Sequence, residues 1–356
     1  MSRTVPTDGP IVLGVLHPPV WFGDDAGFAA AVDAIAAIDP RIEVVVEPYE
    51  EGQHLRTLRG GAEGFAEART LAPALTDAQR AVFERVHAVV AIDLPFDVGD
   101  LAPNLAWVQS VGAGYAQLVS AGLGDAGIRF SNAAGVNAVG IAEFVVGRLL
   151  AERKQFRTIA ESQARRAWEP VYGRELAGST VGLVGLGAIN AAVAKRLQAF
   201  DVEVLATRRS AATGDVAPDV DRLFPIADLH DMLGLCDAVV CAVPESPETE
   251  SMFDAATFAA MRPGALFVNV GRGSLVDEPA LIAALESGQL RGAVLDVQRT
   301  EPLPADDPLW RAPNIEISAH CSSAPSALFV NLYRLWAENI VRWLRGDRLV
   351  NEVDLG

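Results

Sequence analysis

Cysteine is scarce in this chain: Cys236, Cys241 and Cys321 are the only three among 356 residues, an odd number without a C-x-x-C pair. That argues against a disulfide framework or a cysteine zinc site and for a reducing compartment. The five histidines include no spaced pair suited to a metal, so none is expected. No run approaches the roughly 18 consecutive apolar residues that cross a bilayer. The opening "MSRTVPTDGP" has no apolar stretch after its arginine, so neither a membrane span nor an export signal is expected and the chain reads as cytoplasmic. Basic patches are missing too. A net charge of −17 repels nucleic acid and anionic headgroups, and neither is expected as a partner. Beyond modest alanine richness there is no low-complexity tract and no internal repeat.

What is present is a folded composition, 50% hydrophobic with interspersed charge, long enough for two ordinary cores. Short β-branched runs alternate with helical periodicity: "IVLGVL", helical "FAAAVDAIAAI", "RIEVVVE", then "AVVAI", "LAWVQS" and "IRFSNA". The alternation predicts parallel α/β structure. A long amphipathic segment over 136–155 leads to a charged surface connection, "ARRAWEPVYGREL". A second series follows, with strands "TVGLVG", "VEVLAT", "DAVVCAV", "ALFVNVG", "GAVLDV" and "IEISAH", which suits one complete doubly wound sheet. The last helical stretch, "SALFVNLYRLWAENIVRWLRG", has apolar positions spaced to pack back on the first series.

The mid-chain stretch "VGLVGLGAIN" reads as strand, glycine turn and helix start. Gly185 permits the tight turn and Gly187 lets backbone approach a pyrophosphate. The amides around Leu186, Ala188 and Ile189 at the helix start attract its charge. This predicts a dinucleotide site. A third glycine normally allows close helix-to-strand packing, so Asn190 is expected either to push the helix away or to point its amide along the groove. About 20 residues on, an Asp or Glu would hold the 2′-hydroxyl of NAD. The sequence there is Thr207, Arg208, Arg209 and Ser210, which suits a 2′-phosphate; a charge-assisted bond contributes about 1.5–3 kcal/mol. NADP(H) is therefore the expected cofactor, with NAD(H) as the alternative; a solvated basic turn is the plainer reading of the same residues.

Three further stretches, "NVGRGSLVDE", "LDVQRTEPLP" and "ISAHCSS", end or follow predicted strands, the edge where open α/β sheets bind ligands. With the glycine turn they make the chain similar to the D-isomer-specific 2-hydroxyacid dehydrogenases, and within them to the glyoxylate/hydroxypyruvate reductases. The resemblance is strongest over 107–320 and reaches "GDRLVNEVD", while the first hundred residues match in layout alone. It implies two doubly wound parallel-sheet domains, a Rossmann cofactor domain (134–322) inserted into a smaller flavodoxin-like substrate domain (1–133 and 323–356). It also implies a homodimer joined through the long helices after Val136.

The chemistry asks for the same residue types. Hydride addition to a 2-oxo acid builds negative charge on the carbonyl oxygen, and histidine is the natural proton donor near neutral pH. His320 is expected in that role, Glu301 as the carboxylate that orients it, and Arg272 as the forked donor that grips the substrate carboxylate. Taken singly, each has a structural reading: a core histidine, a helix cap and a surface ion pair. The resemblance assigns the loop Val111, Gly112, Ala113 and Gly114 to the substrate carboxylate, although Ala116 stands where related loops carry an acid or amide. It assigns Ala242, Val243, Pro244, Thr249, Val270, Gly271 and His320 to cofactor contacts, and Asp296 to the nicotinamide carboxamide. The expected reaction is NADPH-preferring reduction of a small 2-oxo acid to the D-2-hydroxy acid. The alternatives are a dinucleotide-sensing corepressor and a phosphite- or formate-type dehydrogenase of the same fold.

Overall fold

The first sheet begins with β1 (Ile11–Val15), whose five residues are all buried, as are those of β3 (Ala88–Ala91) and β4 (Trp107–Ser110). Such continuously buried runs suit strands covered on both faces. β2 (Ile42–Val46) buries only Ile42 fully, as an edge strand does, and β5 (Arg129–Ser131) lies towards the other side. The second sheet contains β6 (Thr180–Val184), β7 (Glu203–Arg208), β8 (Arg222–Pro225), β9 (Ala238–Cys241), β10 (Ala265–Asn269), β11 (Leu290–Leu295) and β12 (Ile315–Ile317). β13 (Glu352–Val353) returns to the first. These elements come from a computed structural model that describes residues 3, 5–60, 64–212 and 214–355.

The chain divides into two compact units, Met1–Val136 with Pro325–Gly356, and Asn137–Ala324. The first sheet has the order β13-β5-β4-β3-β1-β2, parallel except for β13; the second runs β12-β11-β10-β9-β6-β7-β8, all parallel. Both are doubly wound, the first in the flavodoxin-like and the second in the Rossmann order. Two strands carry no clear sequence signal. β8, "RLFP", is a short edge strand with charge at one end and proline at the other. β13 is two residues long, paired antiparallel with β5 and tied there by Arg129 to Glu352 at 2.7 Å.

The C-terminal helix Pro325–Arg345 buries Phe329, Leu332, Tyr333, Trp336, Ile340 and Trp343, one helical stripe packed into the core of the first unit as its spacing predicts. In the second unit the helix Ala138–Arg153 buries Ala142, Val145, Val146 and Leu149 in the same core as the helix Ala188–Leu197. The exposed Trp168 and Tyr172 lie in the connection between that first helix and β6. Cys236 and Cys241 are buried and Cys321 is exposed; all three are free thiols. Among the described residues no helix is long and apolar enough to cross a membrane, and no His, Cys, Asp and Glu group is arranged to hold a metal.

His17, at the end of β1, is fully buried among Trp21, Phe28, Phe329 and Tyr333. Its Nδ1 lies 3.1 Å from Pro18 O and its Nε2 3.1 Å from the Tyr333 hydroxyl, a pairing that suits the neutral ring donating from Nδ1 and accepting at Nε2. Burial lowers its pKa below the ordinary 6.5. As pH falls below that value the unfolded chain takes up a proton that folded His17 refuses, so stability drops towards acid. His87, whose pKa burial also lowers, acts in the same sense. His17→Phe should shrink the loss of melting temperature between about pH 7.5 and about pH 5.5; an equal loss in both proteins would exclude His17 as a titrating group.

Candidate active site

The turn after β6 is built for glycine. Gly185 has φ +84°, and a Cβ there would stand 2.4 Å from Val243 Cγ1. Gly187 caps the helix Ala188–Leu197, and a Cβ on it would meet nothing within 4 Å, so the backbone is open on that side. The first helical bond runs from Ala191 N–H to Gly187 O, which leaves the amides of Ala188 and Ile189 at the helix opening, where a phosphate is favoured. The residues present therefore fit a dinucleotide's pyrophosphate.

Two side chains of this cradle turn inward. Asn190 does not face the groove. It is completely buried, and Nδ2 donates to Gly185 O at 2.8 Å and Val184 O at 3.1 Å, with Val240 O at 3.4 Å. The amide thus fills the seam that a third glycine would close by contact, and it ties the turn to β6 and β9. Thr207 is also fully buried: its Oγ1 accepts Gly185 N–H at 3.2 Å and its carbonyl accepts Leu186 N–H at 2.9 Å. It shapes the turn instead of facing a phosphate. Arg208 is half-buried, with Nη2 3.9 Å from Asp215, and Arg209 is exposed.

The neighbouring loops interlock. Ala242 N–H donates to Val184 O, and Val243 packs against Gly185 and Gly271. Thr249 donates to Pro244 O at 2.9 Å and accepts Ser246 N–H at 2.8 Å, so its hydroxyl folds the Ala242–Thr249 loop itself. Val270 N–H bonds Cys241 O, and Gly271 N–H bonds Asn269 Oδ1 at 3.0 Å.

Arg272, Glu301 and His320 follow β10, β11 and β12, which are adjacent in the sheet. His320 Nδ1 lies 2.9 Å from Glu301 Oε2, and Glu301 Oε1 accepts Gln298 N–H at 3.0 Å. Arg272 is half-buried and forms no ion pair among the described residues; its Nη1 donates to Gly271 O. Asn269, fully buried, holds the Arg272 carbonyl through Nδ2 at 2.8 Å. A Cβ on Gly273 would lie 1.9 Å from Gln298 C, so the backbone beside Arg272 presses directly on the segment leading to Glu301. Asn269, Gly273 and Gln298 were not legible as site residues. The only hints were a polar residue ending a buried strand and the second glycine of "GRG".

Asp296, the residue expected near the nicotinamide carboxamide, is 1% exposed and its carboxylate bonds to the loop of His320. It accepts from Ser318 Oγ at 2.7 Å and from the amides of Cys321 and Ser322 at 2.9 and 3.1 Å, while its carbonyl accepts His320 N–H at 2.9 Å. It thereby holds His320 in the left-handed region at φ +51°. In the first unit, the Val111 and Gly112 amides are engaged by Ala91 O and Ser110 Oγ. The exposed Ala113 and Gly114 remain as the donors of that loop.

Comparison with known proteins identifies the family. The family described as D-isomer specific 2-hydroxyacid dehydrogenase, NAD binding domain, matches residues 146–322. A glyoxylate reductase of Thermofilum pendens is 34% identical over 259 residues, 70% of this chain and 75% of that protein. A glyoxylate/hydroxypyruvate reductase B of Citrobacter koseri is 32% identical over 252 residues, 68% of this chain and 76% of that protein. The crystal structure of a D-isomer specific 2-hydroxyacid dehydrogenase from Xanthobacter autotrophicus, in complex with NADPH and MES, superposes with a TM-score of 0.73 at 26% identity, covering 98% of this chain and 99% of the other. With the doubly wound second sheet, its glycine turn and the loops of Arg272, Glu301 and His320, these matches mean that the chain belongs to the D-isomer specific 2-hydroxyacid dehydrogenases, oxidoreductases that use a nicotinamide dinucleotide.

Proposed function

We propose that the protein is an NADPH-preferring reductase of a small 2-oxo acid, of the glyoxylate or hydroxypyruvate kind, yielding the D-2-hydroxy acid. The observation that carries this reading is the bond between His320 Nδ1 and Glu301 Oε2 at 2.9 Å, made by a histidine in a constrained loop. Glu301 fixes the ring by accepting from Nδ1–H, and the doubly protonated ring delivers its Nε2 proton to the carbonyl oxygen, which leaves it neutral with the proton on Nδ1. The bound dinucleotide supplies the hydride that the carbonyl carbon receives. Arg272, free of ion pairs among the described residues, is suited to grip the carboxylate and draw charge from the carbonyl. The open amides of Ala113 and Gly114 suit a carboxylate as well. Asp296 acts here through His320, by holding its loop.

The preference for NADPH rests on Arg208 and Arg209 at the end of β7, where a carboxylate would favour NAD. The same proposal includes a homodimer, supported by exposed apolar side chains at Val139, Phe156, Ile159, Trp168 and Tyr172; a sizing column showing monomer alone would reject it.

Loss of reduced-nicotinamide absorbance with glyoxylate, hydroxypyruvate, pyruvate and bulkier 2-oxo acids tests the reaction class, and turnover of none of them would sink it. His320→Asn should lower kcat roughly 100- to 10,000-fold while NADPH affinity stays within about twofold. Arg208→Ala with Arg209→Ala should weaken NADPH roughly ten- to a hundredfold and leave NADH nearly unchanged. Equal use of both cofactors before and after that change would remove the phosphate clamp.

A further inference from the structure

Two arginines on the helix Gln53–Gly60 enter a polar cluster in the first unit. Arg59, 3% exposed, pairs through Nη1 with the Glu51 carboxylate, also donates from Nη1 to Leu94 O at 2.6 Å, and donates from Nε to Ser120 Oγ at 2.7 Å. Its guanidinium lies 4.1 Å from the Phe96 ring centroid. Glu51, 4% exposed, also accepts from the Tyr49 hydroxyl at 2.9 Å, and its amide donates to Asp93, which Arg56 pairs at 2.7 Å. Arg59 Nη2 and Glu51 Oε2 have no hydrogen-bond partner among the described residues.

Such a pair is a poor device for stability. Desolvating two charges offsets most of their attraction, and an unmatched donor and acceptor make the balance worse. What the pair does achieve is geometric. It ties the helix Gln53–Gly60 to the loop after β3, through Leu94, and to Ser120, which closes the short helix Ala116–Val119. Ser120 Oγ donates in turn to Gln117 O at 2.7 Å, and Gln117 Nε2 donates to Ile92 O at 3.1 Å. That short helix follows directly on Val111–Gly114. Ala116, whose methyl offers no polar anchor, packs at the end of the arginine helix, where a Cβ on Gly60 would lie 3.7 Å from its own.

We propose that the Arg59–Glu51 pair is the positioning device of the Val111–Gly114 loop, supplying from the neighbouring helix the anchor that residue 116 does not provide. The proposal rests on reading that loop as a carboxylate binder. It predicts that affinity for a carboxylate, and not cofactor affinity or the chemical step, depends on the pair.

The test replaces both partners with apolar residues of similar volume, Arg59→Met with Glu51→Met, a change that buried pairs tolerate in stability. The melting temperature should hold within a few degrees. The KM for glyoxylate and the dissociation constant for oxalate, a non-reacting probe measured on the NADP-saturated protein, should both rise roughly tenfold, as a loop displaced by a fraction of an ångström would cause. The kcat and NADPH affinity should stay within about twofold. Unchanged KM and oxalate binding in a folded double variant would overturn the proposal, as would a parallel loss of NADPH affinity, which marks general loosening. Should the double variant not fold, Ser120→Ala leaves the Arg59–Glu51 pair in place and removes its link to the short helix together with the Ser120–Gln117 bond. A smaller rise in both carboxylate constants then supports the proposal and no rise overturns it. Oxalate binding that depends on Arg59 in a protein that reduces no 2-oxo acid would sink the proposed reaction alone.

Discussion

The inward-facing carboxylate of Asp296 is the contact on which the His320 loop of the second unit depends. Sitting just past β11, it gathers the Ser318 hydroxyl and the amides of Cys321 and Ser322, while its own carbonyl takes the His320 amide. A non-glycine residue at φ +51° is disfavoured by roughly 1–2 kcal/mol. Four hydrogen bonds from one buried residue and its backbone over-determine that conformation, which is how backbone strain persists at a working site. The ring then meets Glu301 without having to search for it, so its orientation is fixed before any substrate arrives.

Close backbone packing carries the same constraint sideways. Gly185, Gly271 and Gly273 each stand where a side chain would strike a neighbouring loop: Val243 for the first two and the Gln298–Arg299 backbone for the third. The loops after β6, β9, β10 and β11 are consequently one interlocked layer at the carboxyl edge of the sheet. Asn190 belongs to this layer as well, because its amide joins the carbonyl ends of β6 and β9 from within the helix. Preorganisation of this sort costs nothing at the moment of reaction, which is where electrostatic catalysis gains most.

The overall charge works against the proposed ligands. A surface of net charge −17 repels dinucleotide and carboxylate alike, so binding must come from a few oriented groups. Arg208 and Arg209 at the end of β7, Arg272 without an ion-pair partner among the described residues, and open amides at Ala188 and Gly114 are groups of that kind. In the first unit, the buried Arg59 and the half-buried Arg56 are already matched by Glu51 and Asp93 and serve the architecture instead of the surface field.

Sequence alone determined the type and order of most elements, the glycine turn, and the strand ends that carry Arg272, Glu301 and His320. Hydrophobic period, β-branching and glycine's freedom act over a few residues and leave their mark in local pattern. The short edge strands β8 and β13 escaped because each buries too little apolar surface to imprint a period. Tertiary structure alone decided that Asn190 fits, that Thr207 turns inward, that Asp296 holds the histidine loop, and that Arg59 anchors a helix 57 residues further on. In each case the outcome depends on which distant backbone groups lack a partner, and a polar side chain's own residue type does not say which of them it will satisfy.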